Sequence, residues 1–112
     1  MSLQAILDFI TRHREGLRAG RVEMNLLDKG VIFHSFDLPY PFEKVVKYNC
    51  FEVPEPLLTA IKDDYMMLAN LDPQNPLDVQ DLYYAPEKYG VGILEEHVLA
   101  QLRGRKLDLL IS

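Results

Sequence analysis

Residues 21–38 read RVEMNLLDKGVIFHSFDL, and how this stretch folds back on itself decides what the rest of the chain can build. Val22, Met24 and Leu26 alternate with Arg21, Glu23 and Asn25, the period of a half-buried strand. Asp28-Lys29-Gly30 has turn composition, and Val31 to Leu38 resumes β-type residues. A three-residue connection ending in glycine suits a type I turn with a G1 bulge, which pairs Leu27 with Val31. Counting back sets Leu26 opposite Ile32, Met24 opposite His34 and Val22 opposite Phe36. One face of the hairpin is then almost wholly apolar, and His34 is expected buried in its middle.

Upstream, Leu3, Ile6, Leu7, Ile10 and Leu17 recur at helical spacing between Ser2, an N-cap residue type, and Gly20, a C′ residue type. Residues 3–19 therefore read as one amphipathic helix. Downstream, Pro39-Tyr40-Pro41 breaks the chain and Lys44 to Val53 reads as a third strand. Its inward face is either Val45, Phe51 and Val53 or Val46, Tyr48 and Cys50, and period alone does not choose. Pro54-Glu55-Pro56 opens a second helix running to about Asn70, with Leu57, Leu58, Ile61, Tyr65 and Leu68 as its core stripe.

Asp72 to Pro76 reads as a loop, and residues 77–92 as irregular structure with one short helical turn. A last helix spans about Ile93 to Arg103, ended by Gly104, and Leu107, Leu109 and Ile111 alternate as a final strand. These elements add up to an α+β fold: an antiparallel sheet of three to four strands with two main helices plus a C-terminal helix packed on it. The 112 residues fit a single globular domain, and 48% hydrophobic against 26% charged residues is globular usage.

Composition narrows the function classes. One cysteine, Cys50, allows no internal disulfide and matches a reducing, cytoplasmic location. Asp8, Arg12 and Arg14 leave no signal-peptide h-region, and no apolar run approaches a membrane span, so no membrane partner is expected. Charge is segregated. Residues 1–22 hold four arginines against two acids, a net +2, whereas residues 52–96 hold ten acids against two lysines, a net −8. With −5 overall, nucleic acid is not expected as a partner, because phosphate-backbone binding needs a positive footprint.

Motifs for chemistry are sparse. His13, His34 and His97 form no zinc spacing, so neither a metal nor another cofactor is expected, and no GxSxG elbow is present. Glu95-Glu96-His97 reads as a solvated charge run. Gly90-Val91-Gly92 lacks the further glycine and the lysine of a phosphate loop. His34, Tyr48 and Cys50 could line a pocket between sheet and helices; the stronger reading is an ordinary hydrogen-bonded core histidine and a small buried thiol among apolar neighbours. Tyr83, Tyr84 and Tyr89 read as loop tyrosines, either recognition groups or anchors. Met66 and Met67 fall outside the second helix's core stripe, which gives that helix apolar surface in a second direction. The reading that unites these features is a non-catalytic interaction or accessory protein that forms a homo-oligomer, with Met66, Met67, Tyr83, Tyr84 and Tyr89 at contacts with its own kind or another protein. The alternative is a small-ligand-binding protein or enzyme using the His34, Tyr48 and Cys50 pocket.

Overall fold

Leu3, Ile6, Phe9 and Ile10 of α1 (Leu3–Arg12) are buried together, as their helical spacing requires. The computed structural model describes residues 3–36 and 46–111, with side chains described for 3–35 and 47–104. Ser2, Pro39-Tyr40-Pro41 and Val45 lie outside the described residues. The first helix is not continuous: it breaks at His13 (φ −108°, ψ 18°) and resumes as α2 (Arg14–Ala19). Gly20 ends α2 in the left-handed conformation that its missing Cβ permits.

Three antiparallel strands follow in the order β1 (Val22–Leu26), β2 (Gly30–Phe36), β3 (Val46–Glu52). Helices α3 (Glu55–Leu68), α4 (Pro76–Tyr89) and α5 (Gly92–Ile111) complete the α+β fold. Among the described residues, three strands and five helices meet the expected architecture, although two elements differ in kind. Residues 77–92 are mostly α4, not an irregular loop: Asn75 caps it by accepting from the Leu77 N–H at 3.0 Å, and Pro76 occupies the first turn. The chain beyond Gly104 is helix, not strand. Gly104 has open space on its Cβ side and stays within α5, since a single glycine costs a helix only about 1 kcal/mol.

The hairpin register is one residue away from the bulged-turn reading. Observed partners are Val22 with Ser35, Glu23 with His34, Met24 with Phe33, Asn25 with Ile32 and Leu26 with Val31. The turn is two residues long, closed by the Leu27 N–H donating to the Gly30 carbonyl at 2.8 Å. Gly30 is needed for a different reason from the one its turn position suggests. It does not take a positive φ. A Cβ at Gly30 would stand 1.9 Å from the Phe51 carbonyl oxygen, so glycine is there to let β3 approach.

A one-residue shift turns every side chain over. Met24, Leu26, Val31 and Phe33 face the core, while His34 belongs to the opposite face. The same pairing settles β3. Phe51, opposite Val31, is inward and Val53 is buried, whereas Tyr48 and Cys50 are exposed.

Against the inner face lie α1, Leu58, Ile61 and Tyr65 of α3, Leu82 and Ala85 of α4, and Leu94 and Val98 of α5. Phe9 stacks against Phe33 with ring centroids 4.5 Å apart, and Phe51 meets Phe33 edge-on at 5.8 Å. Tyr65 is fully buried, and its hydroxyl donates to the Gly90 carbonyl just after α4 at 2.5 Å. Burial pushes the Tyr65 phenol far above its ordinary pKa, so it remains a donor. Glu95 and His97, read from sequence as solvated, are ties between elements: Arg14 of α2 donates to Glu95, and His97 meets Asp64 of α3 at 2.5 Å.

Candidate functional site

Two surfaces hold the residues singled out by sequence. The first is the outer face of the sheet. Because β2 and β3 pair His34 with Tyr48 and Ile32 with Cys50, the trio His34, Tyr48 and Cys50 does come together, with the His34 and Tyr48 rings 5.0 Å apart and nearly perpendicular. Its position corrects the pocket reading. These side chains lie on the face turned away from the helical core, so the space between sheet and helices is not theirs.

Beside His34 the outer face carries a polar seam that sequence did not suggest. Glu23, the cross-strand partner of His34, lies against Glu87 of α4, and Asn25 is buried with its side-chain amide donating to Glu87 at 2.9 Å. Burial and the neighbouring Glu87 carboxylate, which also shares a hydrogen bond, hold the Glu23 carboxyl above its usual range; His34 partly opposes this. A raised folded-state pKa places the stability contribution of Glu23 at low pH. It is full below the ordinary value of 4.5 and lost as pH rises through the raised value. Glu23→Gln is therefore expected to raise the melting temperature at pH 7 and to lose that advantage near pH 4; melting curves at both pH values check it, and an equal shift at both would contradict the seam.

The second surface is formed by α3 and α4, which pack on each other. Met66 and Met67 separate here. Met66 is half-buried against the core, as a helix flanked on that side requires, and Met67 is 78% exposed. The three tyrosines share α4 but not a direction, because neighbours in a helix are set about 100° apart. Tyr83 turns inward and donates to the Asp28 carboxylate at 2.6 Å, with the Lys62 ammonium 5.5 Å from its ring centroid. The bond to Asp28 raises the Tyr83 phenol's pKa and makes Tyr83 an anchor of the β1–β2 turn. Tyr84 points outward and is 56% exposed; Tyr89 is at the margin of exposure, beside Lys88.

Two further apolar side chains stand open there, Leu68 at the end of α3 and Leu77 at the start of α4. Leu77 and Tyr84 are seven residues apart and share one outer stripe of α4. That signal was present in the sequence, but it becomes legible only once residues 76–89 are known to be helical.

Among the described residues no group of three or more His, Cys, Asp or Glu side chains is placed to hold a metal ion, and no helix is long and apolar enough to cross a membrane. Comparison with known proteins finds no matching family model, no matching curated protein and no matching solved structure.

Proposed function

We propose that this chain is a non-catalytic interaction protein that associates with a second copy of itself through the α3–α4 surface. The observation that carries this reading is the exposure of Met67, Leu68, Leu77 and Tyr84 on two adjacent helices, where a monomer gains nothing by leaving them open. The outer stripe of α4 is also self-complementary. Asp81 and Lys88 lie one turn before and after Tyr84, so two antiparallel copies of α4 pair Asp81 with Lys88 crosswise and bring the two Tyr84 rings near the two-fold axis. Methionine and tyrosine suit such a contact, the first by adapting its shape and the second by adding area at little entropic cost. A reducing, cytoplasmic setting belongs to the same reading, since Cys50 is an exposed free thiol.

Light scattering should give twice the chain mass of 12.9 kDa at micromolar concentration. Met67→Lys with Leu77→Lys should halve the measured mass and leave circular dichroism unchanged, because both side chains are exposed. Met66 stays unaltered in this variant, being part of the core margin. A wild type that is already monomeric sinks the proposal.

A further inference from the structure

The positive N-terminal segment is absorbed neither by the fold nor by the α3–α4 surface. Of its arginines, Arg14 is neutralised by Glu95. Arg12 and Arg21 have no carboxylate partner among the described residues, and the Arg12 side chain is engaged only through its Nε, at 3.4 Å from the Asp8 carbonyl. Both line one open depression of about 280 Å³, formed where the break between α1 and α2 meets the start of β1 and the end of β2. His13 lies at the break itself, its ring stacked 4.2 Å from that of Phe9, which fixes the imidazole beside the arginines. Gly16 and Val22 supply the apolar wall and Glu15 the single carboxylate.

Ser35 lines the same depression from β2, buried, and its hydroxyl has no hydrogen-bond partner among the described residues. A buried hydroxyl left unpaired is unusual, since such groups nearly always find a partner. Two uncompensated guanidiniums, a held imidazole and a spare hydroxyl around one concavity are the donor set of an oxyanion site, guanidinium geometry matching phosphate oxygens two at a time.

We propose that this depression binds the phosphate group of a small phosphorylated molecule or inorganic phosphate. The volume suits a phosphate with a few attached atoms, being just under the range of ordinary ligand pockets. A nucleic-acid backbone is a poor occupant: two arginines are too few phosphate contacts, and the chain as a whole carries a net charge of −5.

Titration of the full chain with inorganic phosphate and, separately, with glycerol 3-phosphate, followed by amide chemical shifts in a constant chloride background, tests it. Saturable shifts confined to residues 12–16, 21–22 and 35 are expected. Arg12→Ala with Arg21→Ala, both exposed side chains, should weaken the affinity at least about tenfold, the scale of one lost charge-assisted hydrogen bond. Ser35→Ala removes an unpartnered hydroxyl, so it should keep or raise the melting temperature while weakening phosphate binding. Equal affinity for the two probes means that phosphate alone is read; tighter binding of the ester means that the rest of the molecule is read as well. Shifts that do not saturate, or binding unchanged in the double arginine variant, would overturn the proposal.

Discussion

Gly30→Ala should unfold the chain or leave it marginally stable, with a loss of about 4 kcal/mol or more in denaturant titration. The new Cβ meets backbone, not a movable side chain. The Phe51 carbonyl oxygen would be 1.9 Å away, its carbon 2.9 Å and the Glu52 Cα 3.0 Å. Relief requires β2 and β3 to separate at the end where Gly30 pairs with Glu52, which lifts Phe51 from the core. Losses of this size come only from a short set of causes, backbone exclusion among them, and they consume much of the stability of an ordinary domain. A loss below about 1 kcal/mol would mean that the strands do not approach this closely.

Phe33→Ala should cost roughly 3–5 kcal/mol, whereas His34→Ala, one residue along the same strand, should stay within about half a kcal/mol. Phe33 has no exposed surface and sits between the Phe9 and Phe51 rings, so truncation leaves a cavity bounded by elements that cannot all move in. His34 is on the other face, half-exposed beside Tyr48. The pair of variants reads the register directly: under the bulged-turn alternative the costs would be reversed.

That register shows where the sequence is legible and where it is not. Alternation at Val22, Met24 and Leu26 assigns the inward face of β1 correctly, because polar residues lie between the apolar ones. In β2 the run Val31, Ile32, Phe33 is apolar at every position, so in sequence only the role ascribed to Gly30 selects a face. Glycine serves both positive φ and close approach, and only the position of β3, a long-range fact, separates the two. Helix α4 was hidden for a related reason. Pro76 and Pro86 resemble loop punctuation, yet Pro76 sits in the first turn and Pro86 is buried within the helix. At Leu107 to Ile111 a nearly continuous apolar run fits either period, and the backbone is helical.

The candidate site was legible in part. His34, Tyr48 and Cys50 lie close together, because they occupy adjacent strands with the same parity, but on the outer face of the sheet and not between sheet and helices. Met67 and Tyr84 are exposed as a contact surface needs, while Met66 and Tyr83 are used within the chain. The Glu23 and Glu87 seam and the depression at Arg12, Arg21 and Ser35 join residues far apart in sequence, and no local pattern announces them.

The packing of α1 on α5, beside the tie between Arg14 of α2 and Glu95 of α5 across 81 residues, has a consequence for how the chain is made. A ribosome adding 5–20 residues per second takes roughly 4 to 16 s to travel from one of these residues to the other. For an interval of that length α1, with Ile6 and Ile10, exists without the helix that packs on it. The hairpin and α3 can shelter part of this stripe earlier, since they precede α4 and α5. The remainder stays available to any factor that binds nascent apolar helices, and synthesis rate, as much as final stability, sets how long this small protein is vulnerable to aggregation.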